Sequence, residues 1–229
     1  AAGQHRRALE LLQRLATTTN ATATKNKSNG GSSSTFGPDD TVAYLRSIKP
    51  SDPLLTLEFS RWVLREKPKM ETLELFTMAD PPLPAEDVLP HLRMHAAQLC
   101  IPYLEHEVAA RGAELPVEFH NDLVLLYLSE LTRVKAAMGE GNWKEEESMP
   151  DVRRRLLNIL RAPSSHSRYN PERMLSRFPQ DFCLEERAVL LSRIGRHKEA
   201  LTILVKRLNN PRLAETYCER IWMETKNMQ

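Results

Sequence analysis

Apolar positions along this chain recur at helical spacing, most clearly over residues 183–208. Leu184, Ala188, Leu191 and Ile194 fall four and three apart, so they share one helix face. Ala200, Leu201, Leu204, Val205 and Leu208 do the same in the next stretch. Between the two sets stands Gly195, which enters the left-handed backbone that ends a helix without the steric cost a Cβ brings. The pattern predicts two short amphipathic helices hinged at Gly195, neither able to bury its stripe alone.

The second half of that hairpin has a near copy at residues 3–12. Gly3, His5, Ala8, Leu9 and Leu12 match Gly195, His197, Ala200, Leu201 and Leu204, with Arg6 against Lys198 and Leu11 against Ile203. Repetition of a glycine followed by one apolar helical face is the signature of stacked helix hairpins. The expectation is an all-α fold, an α-solenoid. Because the first copy opens at its glycine, the chain is read as a segment of a longer one.

The rest of the pattern fills in around this. A helix is expected over residues 4–16, so that 1–16 reads as the end of a preceding repeat. Thr17–Thr35 is a Thr, Ser, Asn and Gly tract with too little apolar content to offset the entropy of ordering it, and 17–37 is read as a disordered loop. Residues 38–138 are expected to be solenoid. Helices start at Pro38-Asp39-Asp40, at Ser51-Asp52-Pro53 and at Pro68, then cover Ala85–His95, Leu99–Ala110 and Val117–Met138. Acids at the first of these starts suit a helix N-terminus. Asp80–Pro84 is a stiff connector, and the acidic stretch 139–150 a flexible loop. Solenoid resumes over 151–229, with helices at Asp151–Leu160, from Asn170-Pro171, in the Gly195 hairpin, and over Pro211–Lys226. Trp62 and Trp222 lie on apolar stripes and are expected in the core.

Composition narrows the function classes. A formal net charge of +2 with 27% charged residues gives no broad basic footprint for nucleic acid. Fifteen Pro against eight Gly suits many short helices begun by proline. Cys100, Cys183 and Cys218 are far apart with no paired spacing, which fits neither a zinc module nor a disulfide framework. A reducing compartment is the expected setting, with the thiols as small buried apolar groups. No apolar run reaches membrane-spanning length.

Candidate chemistry is sparse. His91 and His95 have the four-residue spacing of a zinc-binding helix. However, Leu92 stands where a metalloprotease has its glutamate, and no third ligand follows, so they are read as surface or half-buried histidines. His106-Glu107 and His120-Asn121-Asp122 offer acid–base groups without a nucleophile motif, and no phosphate-cradling glycine loop occurs. No catalytic residue, metal ligand or cofactor is expected. Arg153-Arg154-Arg155, followed by Arg161, Arg168, Arg173 and Arg177, is the one basic concentration. Its plainest reading is a solvated helix face beside Glu145-Glu146-Glu147, its sharper ones a contact for an acidic protein or for RNA. A helical-repeat RNA binder is therefore the alternative function.

Several blocks in order resemble one family. They are Phe59-Ser60-Arg61-Trp62-Val63-Leu64-Arg65, Ile101-Pro102-Tyr103-Leu104-Glu105-His106, Phe119-His120-Asn121, Tyr169-Asn170-Pro171, Leu184-Glu185-Glu186-Arg187-Ala188, the Gly195 segment, and Ala214-Glu215-Thr216-Tyr217-Cys218. Together they resemble the vacuolar protein sorting-associated protein 39 family, subunits of the HOPS tethering complex, related to the TGF-β-receptor-associated protein of CORVET. The resemblance implies a β-propeller followed by an α-solenoid of clathrin-heavy-chain-type repeats, with this stretch in the middle-to-late solenoid. It also implies a non-catalytic scaffold acting in late endosome and vacuole (lysosome) fusion, through other HOPS or CORVET subunits and a Rab GTPase. It implies cytoplasmic location, peripheral on the membrane through those partners. No family binding motif carries over residue by residue.

Overall fold

The computed structural model describes residues 2–23, 37–47, 53–78, 83–138 and 151–227. Among these there are twelve α-helices and no strand. They are α1 (Ala2–Ala23), α2 (Pro38–Ser47), α3 (Pro53–Glu66), α4 (Met70–Thr77), α5 (Ala85–His95) and α6 (Cys100–Arg111). There follow α7 (Val117–Met138), α8 (Asp151–Arg161), α9 (Pro171–Arg177), α10 (Leu184–Arg193), α11 (His197–Thr202) and α12 (Pro211–Asn227). The chain divides into two compact units, residues 1–107 and 108–229, the division falling within α6. Inside each unit helices pack mainly on close neighbours in sequence: α1 on α2 and α2 on α3 in the first, α9 on α10 and α10 on α11 in the second. This is the hairpin stacking expected from the repeated apolar pattern. No helix among the described residues is long and apolar enough to cross a membrane.

In the first unit Leu9 of α1, Leu45 of α2, and Leu55 and Phe59 of α3 form one cluster with Leu75 of α4. In the second, Leu184, Ala188 and Leu191 of α10 meet Ala200 of α11 and Ala214 and Tyr217 of α12. Two helix starts in this unit share one device. Asn170 and Asn210 each accept a hydrogen bond at Oδ1 from the backbone three residues on, Arg173 N at 2.9 Å and Leu213 N at 3.1 Å. Each is followed by a proline whose missing N–H costs the first turn nothing.

Some local expectations are corrected. α1 continues to Ala23, through seven residues assigned above to the loop. Once a helix is nucleated each added residue brings a hydrogen bond, and Thr or Asn disfavours it by well under about 1 kcal/mol each. The rest of that loop, most of the connector at 80–84, and 139–150 lie outside the described residues. Pro68 precedes α4 without entering it, since Lys69 is extended and α4 begins at Met70.

The second helix of the Gly195 hairpin is not regular throughout. After α11 the chain makes a π turn over Ile203–Arg207, with Leu208 N donating to Ile203 O at 3.0 Å. Ile203 and Leu204 are buried beside Ala200, whereas Val205 is 50% exposed, although the helical period put Val205 on the buried stripe. Trp222 is 60% exposed, because Leu213, Ala214, Tyr217 and Ile221 take the inner face of α12 and the next residue turns outward. Lys226 Nζ lies 5.1 Å above its ring. Cys218, next to Tyr217, is exposed for the same reason, whereas Cys100 and Cys183 are buried.

Gly195 has a φ of +82° and a Cβ there would meet nothing within 4 Å, so only backbone strain opposes a substitution. Gly112 has a φ of +50° and its Cβ would stand 3.0 Å from Ser165 O. Gly195→Ala should therefore lower stability by about 1 kcal/mol, and Gly112→Ala by more. Urea unfolding of the two variants checks the order; the reverse order would mean that the contact with Ser165 is relieved cheaply.

Candidate functional site: polar struts of the second unit

α8 carries its buried residues at Arg153, Leu156, Leu157 and Leu160, so an arginine occupies the first position of an apolar stripe. That is possible only with an anion inside, and α10 supplies it. Arg153 is 2% exposed, and its Nε donates to Glu186 Oε1 at 2.6 Å while Nη2 reaches Oε2 at 3.3 Å. Glu186 is 0% exposed. Beside it Glu185 accepts from Arg161 and lies 3.5 Å from Arg153. Burial pushes the Glu186 carboxyl above the ordinary carboxylate range, and the hydrogen bond and charge of Arg153 hold it back. The expectation of a solvated arginine face is thus overturned at Arg153. The signal was present: Arg153 is in register with three leucines.

Other polar groups of this unit are also spent inside it. Arg187 of α10 donates through Nη1 to Phe178 O at 2.8 Å and to Leu175 O at 3.3 Å, taking up carbonyls at the end of α9. Arg193 donates through Nε to Leu160 O at 3.2 Å and lies with its guanidinium 5.5 Å over the Tyr169 ring. Tyr169 donates to the same Leu160 carbonyl at 2.7 Å, and burial pushes its phenol up to about 12. Asn121 of α7 accepts at Oδ1 from Asn170 N at 2.8 Å, and His120 Nε2 lies 3.1 Å from Gly112 O. Burial lowers the His120 pKa. Three of the sequence blocks singled out above therefore meet their neighbours as internal struts.

The matched segments share a further contact. His5 Nδ1 lies 3.2 Å from Tyr44 Oη on the following helix, α2, and His197 Nδ1 lies 2.7 Å from Tyr217 Oη on its following helix, α12. Ring centroids are 6.2 Å apart in both pairs. Partners are 39 residues apart in the first pair and 20 in the second. The excess of 19 equals the length of Thr17–Thr35. The copies also differ. Gly3 lies within α1, and Leu11 is 59% exposed where its counterpart Ile203 is buried. Leu9, Ala200 and Leu204 are each buried in their own unit, while Ala8, Leu12 and Leu201 are half-buried.

In the first unit, the His91 and His95 rings lie 4.8 Å apart, with Phe76 edge-on to His91 at 6.3 Å. Ser60 donates to Leu57 O at 3.0 Å, so its oxygen accepts from His91 Nε2, also at 3.0 Å. Burial, then the neighbouring His95 and Arg61, lowers the His91 pKa to about 4. Burial and Arg65 lower that of His95. Among the described residues no three His, Cys, Asp or Glu are grouped to hold a metal. A histidine with a depressed folded-state pKa contributes stability that is full above its unfolded value near 6.5 and lost as pH falls toward 4. His91→Gln should flatten the acid limb of the stability curve over that window. NMR titration should show the wild-type His91 ring neutral at pH 5.5; a midpoint near 6.5 would mean the ring is solvated.

Helices that stack as hairpins, joined by internal polar struts and bearing no reactive constellation in the described residues, define an α-solenoid segment. A family model described as vacuolar sorting protein 39 domain 1 matches residues 1–64. The chain is 34% identical to vacuolar sorting protein 39 of Arabidopsis thaliana over 95% of its own length and 21% of the relative's. It is 33% identical to the human Vam6/Vps39-like protein over 98% of its length and 25% of that protein's. It is 28% identical to a zebrafish (Danio rerio) transforming growth factor-beta receptor-associated protein 1 homolog over 59% and 15%. No solved structure matches. The chain belongs to the vacuolar sorting protein 39 family, and spans about a fifth to a quarter of the length of the plant and human relatives.

Proposed function

We propose that this chain is a non-catalytic scaffold segment of a HOPS-type membrane-tethering subunit. In this reading it acts in late endosome and vacuole (lysosome) fusion by holding other tether subunits, and with them a Rab GTPase, in fixed relation. The observation that carries the proposal is where the polar side chains of the family-like blocks go. Glu185, Glu186, Arg187, Asn121 and Tyr169 are spent joining the elements of the second unit, Glu186 through Arg153. Residues used this way hold each helix against its neighbour and are not available for chemistry.

Matched contacts at His5–Tyr44 and His197–Tyr217 support reading α1–α2 and α11–α12 as two copies of one hairpin, the Thr/Ser-rich stretch being inserted into the first. Peripheral membrane location follows from the partners in this reading. The RNA-binding alternative loses its leading arginine to the interior.

Pull-down of residues 1–229 with the other tether subunits and the Rab GTPase tests the proposal. Retention of at least one tether subunit is expected, and retention of none overturns it. Salt-sensitive submicromolar binding of single-stranded RNA by the same segment would favour the alternative.

A further inference from the structure

α8, α10 and α12 leave a furrow between them in the second unit that the ionic strut does not fill. Its apolar floor is Ala188, Val189, Leu204, Leu213 and Tyr217, around a cavity of about 250 Å³. A second, polar pocket of about 390 Å³ lies between Ser164 and Ser192. Both are bordered by Arg161, Val189 and Arg220, so the two adjoin.

The lining sets three guanidinium groups, Arg161, Arg193 and Arg220, against one carboxylate, Glu185. That carboxylate already serves both Arg153 and Arg161. Arg193 donates to the backbone carbonyls of Leu160 and Ala162, which carry no formal charge. Arg193 therefore brings, beside an apolar seat, a positive charge that the lining's carboxylate does not take up.

We propose that this furrow docks a short acidic segment of a protein partner. Its apolar side chains rest on the floor, and its carboxylates face Arg161, Arg193 and Arg220. Arg193 keeps its full charge while its Nε and Nη2 serve backbone carbonyls, so it attracts a carboxylate without a two-bond fork, and the hydroxyls of Ser164 and Ser192 add donors at the polar end. A bare phosphate ligand would use that end and leave the apolar floor empty. A nucleic acid would need stacking surfaces, and the lining's single aromatic, Tyr217, is buried. The partner's being a protein rests on the scaffold reading; the charge and shape of the furrow do not.

Fluorescence anisotropy with residues 1–229 and a labelled helical peptide tests this. The peptide carries leucines on one face and glutamates elsewhere. Its controls are one peptide with lysine for glutamate and one with serine for leucine. Micromolar binding of the acidic peptide alone is expected, weakening about tenfold or more when salt rises from about 50 to about 300 mM. Thr216→Glu, an exposed change on the α12 wall, should weaken it about tenfold with thermal stability unchanged, and Arg220→Glu should weaken it at least as much.

Equal binding of the lysine or serine peptide overturns the proposal, as does no binding or indifference to both substitutions. Competition by inositol hexakisphosphate without any apolar requirement would make the furrow an anion site and overturn it too. So would self-association of the chain that Thr216→Glu abolishes, which would make the occupant a second copy. A segment that retains tether subunits but ignores the peptide sinks the furrow and spares the scaffold reading. One that takes the peptide but no tether subunit does the opposite.

Discussion

Arg153→Met should lower the stability of residues 108–229 by about 3–5 kcal/mol at neutral pH. The substitution keeps much of the side-chain volume, so the loss is electrostatic. It leaves the carboxylate of Glu186, 0% exposed, without its two hydrogen bonds from Arg153. Burial already raises the folded-state pKa of Glu186 above its unfolded value. For a raised group the stabilising contribution is complete below the unfolded pKa and is lost as pH rises through the folded one. Removing Arg153 raises the folded pKa further. The gap between wild type and variant should then be small near pH 4 and widen toward pH 7. Urea unfolding across that range measures it. A gap that stays constant with pH would mean that Glu186 is not the anion left behind. Replacing both partners, Arg153→Met with Glu186→Leu, should recover most of the loss, since an apolar pair carries no desolvation penalty.

Leu204→Asp should unfold the hairpin of α10 and α11, whereas Val205→Asp should change stability by less than about 0.5 kcal/mol. Leu204 packs with Leu184, Ala188, Leu191, Ala200 and Tyr217. Losing that side chain costs about 2–5 kcal/mol, and an unpaired carboxylate in its place adds a desolvation cost. Val205 is 50% exposed, because the buried face centres on Ala200, Ile203 and Leu204. The helical period places Leu204 and Val205 on one stripe, so the contrast between them tests which residues face the core. Similar losses at the two positions would show that the buried face reaches Val205. Thermal unfolding followed by circular dichroism is sufficient.

Much of the fold was legible because it is local. The hinge at Gly195 follows from one residue's backbone freedom, and its positive φ is what the pattern requires. Helix bounds such as those of α5 and α7 follow from proline position and apolar period over a few turns. Family membership was legible as an ordered set of blocks. What those blocks do was not. Asn121 and Asn170 are 49 residues apart, and Arg153 and Glu186 are 33 apart. Nothing in a linear pattern says that a given arginine and glutamate will share one interior.

Two misplacements have the same origin. Trp222 and Cys218 follow apolar residues and read as core, but a helix face is decided by what packs on it, and the inner face of α12 was already filled. The arginine run read as solvated because arginine usually is. Only its register with Leu156, Leu157 and Leu160 pointed inward, and only α10 could confirm it.

The sequence by itself determined an all-α chain of hairpins, the position of its hinge, its internal echo at residues 3–12, and its family. Those properties depend on neighbours within a few turns of helix, where spacing and backbone preference suffice. Tertiary structure alone decided that Arg153 is buried, that Val205 faces out, and that Arg161, Arg193 and Arg220 line one furrow. Each of these depends on which helix lies alongside, and burial and electrostatic pairing are properties of that neighbourhood.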